Sequence, residues 1–147
     1  MMEVLGYTHL LITKAERQLN ADVARDKIAS LVVRMDRLLT GRGTRFVLVA
    51  MPGGNELRRH EYDDLQDLPA LLEATRAEGV STIDVKPYFE AKLDGEAVWL
   101  GELIWETDRH YTPLGYRYFG EAVLEGLCRL EDALPATARA RLCPVAP

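Results

Sequence analysis

Serine is scarce in this chain: Ser30 and Ser81 are the two present in 147 residues. Cysteine is as rare, with Cys128 and Cys143 only. Their spacing fits no zinc-binding pattern, and two cysteines are too few for a disulfide scaffold. They read as two reduced thiols, one of them on a helix. Three histidines, His9, His60 and His110, stand far apart in the sequence, so no cluster suggests a metal site. No apolar run approaches the ~20 residues of a membrane span. The start, MMEVLGYTHLLITKAERQLN, lacks a basic leader followed by an apolar stretch and a small-residue cleavage site. A cytoplasmic protein with no membrane span is the expectation. Basic residues are outnumbered, 18 Lys plus Arg against 23 Asp plus Glu, for a net charge of −5. No basic stripe appears, which argues against a nucleic-acid partner. No glycine-rich loop opens a helix; Gly41-Arg42-Gly43 precedes a strand, the wrong context for a dinucleotide. No cofactor and no metal is expected.

What is present is ordinary globular material. Hydrophobic residues make up 48% and charged residues 28%, and the length suits one domain over residues 1–147 with a real core. Val4 to Thr13 is apolar and β-compatible, though Gly6 weakens it. Residues 22–39 predict a helix, since Ala24, Ile28, Leu31, Met35 and Leu38 recur at three- and four-residue steps. Asn20 or Asp22 could cap it, and Gly41 and Gly43 could end it. Arg45 to Met51 is the clearest strand, a continuous apolar run closed by Pro52-Gly53-Gly54-Asn55. Leu68, Leu71, Leu72 and Thr75 mark a helix between Pro69 and Gly79. Ser81 to Val85 reads as a second buried strand, and Pro87 to Leu93 as a short helical turn. Thr112 and Pro113 suit the cap and first residue of a helix carrying Phe119, Val123, Leu127 and Leu130. One more helical turn can follow Leu134. The alternation implies an α/β fold, a parallel sheet of about three strands with helices on both faces. Ligand sites in such sheets lie beyond the carboxyl ends of the strands.

The loop before the last helix carries Asp108-Arg109-His110. At this spacing the carboxylate can accept a hydrogen bond from one imidazole nitrogen, which fixes the tautomer and leaves the other nitrogen as a general base. This is the acid–base half of a Ser-His-Asp triad. A bare Asp-x-His is more often a charged surface loop, and it also occurs in metal sites. The flanking residues make the pattern longer: Asp108-Arg109-His110-Tyr111-Thr112-Pro113-Leu114-Gly115, then a helix. It resembles the last block of the SGNH (GDSL-like) hydrolase superfamily. It is most similar to carbohydrate O-acetyltransferases of the alginate-acetylation type, which have Trp where this chain has Tyr111. The upstream segments GTRFVLVAMPG and GVSTIDV resemble the same superfamily, so the likeness spans residues 22–131.

The resemblance implies a partial, flavodoxin-like three-layer SGNH-type domain. It implies esterase or O-acyltransferase chemistry on a small-molecule or carbohydrate ester, with His110 as base and Asp108 as its orienter. It also requires a serine on a sharp turn, and neither Ser30, inside a helix, nor Ser81, opening a strand, has that context. If Val4–Thr13 is the family's third strand, His9 stands near its oxyanion Asn and the serine belongs before Met1. In the alginate type the serine follows the acid–histidine block instead. Gly54 and Asn55 could line a pocket or hold an oxyanion, although Pro52–Asn55 reads more simply as a tight turn. Tyr111, Tyr116 and Tyr118 suit either sugar stacking or packing, and Trp99 and Trp105 either a pocket wall or a core edge. Leu57-Arg58-Arg59-His60-Glu61 reads as solvated surface. Three functions follow: an enzyme part that needs a serine from elsewhere, a non-catalytic remnant that binds or pairs, and a doubly wound binding domain that leaves Asp108–Gly115 unexplained. A homo-oligomer or partner chain is expected through an open, apolar sheet edge near Val4–Thr13.

Overall fold

The computed structural model describes residues 14–59, 68–95, 99–107, 109–131 and 133–143. The expected strand over Val4–Thr13, with His9, lies outside them, as do His60 and Asp108.

The described chain is mostly helical around a small parallel sheet. α1 (Lys14–Thr40) leads to β1 (Val47–Ala50), then α2 (Gly54–Arg59) and α3 (Leu68–Ala77) return the chain to β2 (Ser81–Asp84). After β2 come α4 (Lys86–Gly95), α5 (Leu100–Leu103), α6 (Pro113–Arg129) and α7 (Ala136–Leu142). The strands pair in parallel with Val47 opposite Ser81 and Ala50 opposite Asp84. Two strands form among the described residues, so β1 is half-buried up to Ala50 rather than enclosed along its length.

Strand alternation divides the core. Val47 and Val49 pack towards a cluster built from Leu57, Ile83, Val85, Phe89, Leu103, Ile104, Tyr111, Tyr118 and Ala122. Phe46 and Leu48 pack the opposite way, against Val32 and Val33 of α1 and Val80. Successive side chains of a strand point to opposite faces, so α1 covers one face of the sheet and α6 the other.

Several local expectations need correction. α1 begins at Lys14, so Asn20 and Asp22 lie inside the helix and do not cap it. The residues whose spacing marks that helix are not the ones that bury it. Ile28, Leu31, Met35 and Leu38 are exposed, while Val32 and Val33 face the sheet. The short turn expected at Pro87–Leu93 is a helix of 10 residues, α4. Leu57 is buried in the core rather than solvated, because α2 turns it inward and leaves Arg58 outside. The two cysteines are not free thiols: Cys128 and Cys143 form a disulfide that ties α6 to the segment just past α7. Arg139 reinforces that junction by donating to the carbonyls of Cys128 at 2.8 Å and Glu131 at 2.6 Å, and to that of Leu130. These carbonyls lie at the end of α6, where backbone acceptors lack helical partners.

Candidate functional site

The site is built on the loop between α5 and α6, and the sequence around it explains its shape. Ile104 and Tyr111 form an antiparallel bridge that closes the loop. Inside it the Trp105 amide donates to the His110 carbonyl at 2.8 Å, and the Arg109 amide donates to the Trp105 carbonyl at 3.0 Å. The Thr112 amide donates to the Leu103 carbonyl at 2.9 Å. Closing so small a loop puts Arg109 at φ 63°, the left-handed region that a non-glycine residue enters only at a cost.

Thr112 and Gly115 seat α6 on α5. Thr112 caps the helix by accepting from the Gly115 amide at 3.1 Å, and its hydroxyl donates to the Glu102 carbonyl. Pro113 occupies the first turn, where its missing N–H costs nothing. Gly115 is required by space: a Cβ there would stand 2.2 Å from the Leu103 carbonyl oxygen. The Thr-Pro-x-Gly element therefore has a mechanical purpose. It lets the start of α6 lie against the backbone of α5 and so fixes the base of the loop.

Tyr111 anchors the loop to the sheet. Its ring is buried against Phe89, and its hydroxyl donates to the Pro52 carbonyl at 2.6 Å. Pro52 lies two residues past the end of β1, so the loop is tied to the carboxyl end of the sheet, the edge where parallel sheets hold their ligands. Burial, followed by the nearby Glu56 carboxylate, holds the Tyr111 phenol well above its ordinary range, which keeps it a neutral donor. Of the three tyrosines only Tyr116 is exposed, and its ring tilts against Tyr111 at 5.9 Å.

His110 sits between Arg109 and Tyr111 and is exposed. Its loop, through Trp105 and Arg109, borders a groove of about 450 Å³ that Gly54, Asn55, Arg58 and Trp99 also line. Gly54 and Asn55 are thus brought to the same groove as the histidine loop. They stand at the start of α2, so Pro52–Asn55 is a strand-to-helix entry whose Gly53 amide is held by the Glu56 carboxylate. Trp99 and Trp105 are walls of the groove and are 65% and 52% exposed, a large apolar area left open to water. The Trp99 ring lies over Gly101, where a Cβ would come within 2.2 Å of it. Arg58 and Arg109 add positive charge and Glu106 negative charge, and none of the three was singled out as a site residue by sequence pattern. The left-handed turn that positions Arg109 leaves no trace in residue type.

Comparison of the chain with protein-family models, with curated proteins and with solved structures gave no match. The site must therefore be read from its own geometry. Both serines lie away from it. Ser30 is on exposed α1, where its hydroxyl donates to the Asp26 carbonyl, and Ser81 is at the amino end of β2, opposite the edge that carries the loop. Among the described residues no group of three or more His, Cys, Asp and Glu side chains is placed to hold a metal ion. A larger groove of about 720 Å³ runs along β2 between α4 and α6 and shares no residue with the first. Its polar walls are internally matched: Arg129 pairs with Glu125, and Arg76 donates to Thr82. No helix of the described residues is long and apolar enough to cross a membrane.

Proposed function

We propose that the chain supplies the acid–histidine half of a serine-type ester hydrolase or O-acyltransferase of the SGNH kind. The observation that carries this reading is the anchoring of the His110 loop. An exposed histidine is held on a strained loop, pinned by Tyr111 to the carboxyl end of the sheet and by Thr112 and Gly115 to the next helix. Rigid placement of a base beside an open groove is what general-base catalysis requires.

In this reading Asp108 accepts a hydrogen bond from one ring nitrogen of His110 and stabilises the imidazolium that forms. The second nitrogen takes the proton of a serine hydroxyl as the oxygen attacks the ester carbonyl, then delivers it to the departing alcohol. The serine comes from another segment or chain. Asn55 and the backbone at Gly54 line the side of the groove from which an oxyanion could be held. Trp99 and Trp105 give flat apolar faces suited to a sugar ring, and Arg58 and Arg109 give donors for its substituents. The substrate class proposed is an ester of a carbohydrate hydroxyl.

A second reading, a non-catalytic binding module, is favoured by one observation: neither Ser30 nor Ser81 lies at the loop's edge of the sheet. The two readings separate on p-nitrophenyl acetate hydrolysis by the assembled protein. The enzyme reading expects turnover that falls about 10³-fold or more in His110→Ala. An unchanged rate would sink it. The Cys128–Cys143 bond supports residence in an oxidising compartment and weighs against the cytoplasmic expectation.

A further inference from the structure

Helix α1 runs for 27 residues, about 40 Å; among its described side chains Val32 and Val33 are buried against the sheet, and the helix also lies beside α3. Its apolar residues follow a second stripe. Ala21, Ala24, Ile28, Leu31, Met35 and Leu38 are spaced 3-4-3-4-3, the alternation of a and d positions in a heptad repeat. Ile28 is 46% exposed, Leu31 57%, Met35 50% and Leu38 56%. A continuous apolar stripe of this kind on a surface helix marks an interface.

We infer that this stripe is a self-association surface, and that two copies of the chain pair through α1 as a short parallel two-stranded coiled coil. Three features single out a second copy, in that orientation. The first is register: Ile28 and Met35 fall at a, with Leu31 and Leu38 at d, and the β-branched Ile28 at a beside Leu31 at d is the combination that favours two parallel strands. The second is charge. Lys27 and Arg34 fall at g. In a parallel pair each g residue faces an uncharged e position of the partner, Val32 or the half-buried Leu39, so no like charges meet. In an antiparallel pair g faces g, and Lys27 would oppose Arg34. The third is clearance. Val32 lies roughly a fifth of a turn and Val33 nearly half a turn from the centre of the stripe, so the sheet they face lies about a third of a turn away. The rest of the domain therefore stands to the side of the pairing axis. Two such stripes brought together remove on the order of 1,000 Å² from water, near the lower bound for a specific interface. This pairing does not depend on the ester chemistry.

Sedimentation of the full chain across micromolar concentrations tests it. A dimer is expected, and Leu31→Glu should weaken its association by roughly a hundredfold or more, because one buried leucine is lost from each copy. Leu31 is exposed in the single chain, so the variant should keep its far-ultraviolet circular dichroism. Leu31→Cys then reports orientation: at a d position of a parallel pair the two thiols face each other and should cross-link under mild oxidation, which the parent chain, its two cysteines joined to each other, should not. A monomer throughout this range, or a dimer that survives Leu31→Glu and leaves Leu31→Cys uncross-linked, would overturn the inference. The second outcome would point to a different surface, such as a sheet edge.

Discussion

At the scale of single residues, buried polar contacts of Tyr111 and Thr112 hold the His110 loop in place. Tyr111 is the plainest case. Removing its hydroxyl in Tyr111→Phe takes a donor from the buried Pro52 carbonyl, which should cost about 1–2 kcal/mol. Urea denaturation checks this, and the ester activity of the assembled protein should also fall with the looser loop. The same phenols set a pH dependence. Burial, then the hydrogen bond to Glu121, pushes Tyr88 up to about 12, and burial raises Tyr111 further. In the unfolded chain both titrate near 10. Their contribution is therefore fully present below about pH 10. It is lost as the pH rises towards the folded values, because the unfolded chain then ionises first. Denaturation midpoints should stay level up to about pH 10 and fall above it, less steeply in Tyr88→Phe. Residue types alone carried much of this region. Thr112, Pro113 and Gly115 announce a capped helix start, and their structural roles follow that pattern. The left-handed Arg109 was not legible, because it arises from closing the Ile104–Tyr111 bridge. Asp108, the other half of the proposed pair, lies outside the described residues.

At the scale of elements, the close approach of α6 to α5 is the joint that positions the loop. Gly115→Ala would place its Cβ within 2.2 Å of a backbone oxygen, and backbone cannot step aside as a side chain can. A loss of about 2–3 kcal/mol is expected in thermal unfolding. Thr112→Ala should cost about 1–2 kcal/mol through the lost cap. If either variant unfolds at the temperature of the parent chain, the joint is not as tight as described. Strong periodic signals placed the long helices and both strands correctly. They said less about which face each helix buries: the stripe of α1 with the clearest spacing is the exposed one, and Val32 and Val33 beside it hold the sheet. α2 was missed because Gly-Gly-Asn reads as a turn, whereas the Glu56 carboxylate on the Gly53 amide converts it into a helix start.

At the scale of the molecule, a two-strand sheet with α1 on one face and α6 on the other agrees with a partial α/β arrangement. The order of strands and helices was legible because buried parallel strands and crossover helices have distinct apolar patterns. The disulfide was not, since sequence spacing alone cannot bring the end of α6 to the turn past α7. Closing a loop of separation 15 should contribute about 3 kcal/mol, so reductant should lower the unfolding midpoint, and alkylation before reduction should modify no cysteine. Whether His110 serves as the base for a serine nucleophile is read by fluorophosphonate labelling of the assembled protein. A serine should be labelled in the parent protein, and labelling should slow about 10³-fold or more in His110→Ala. No labelled serine in the parent, or equal labelling in His110→Ala, would contradict that role.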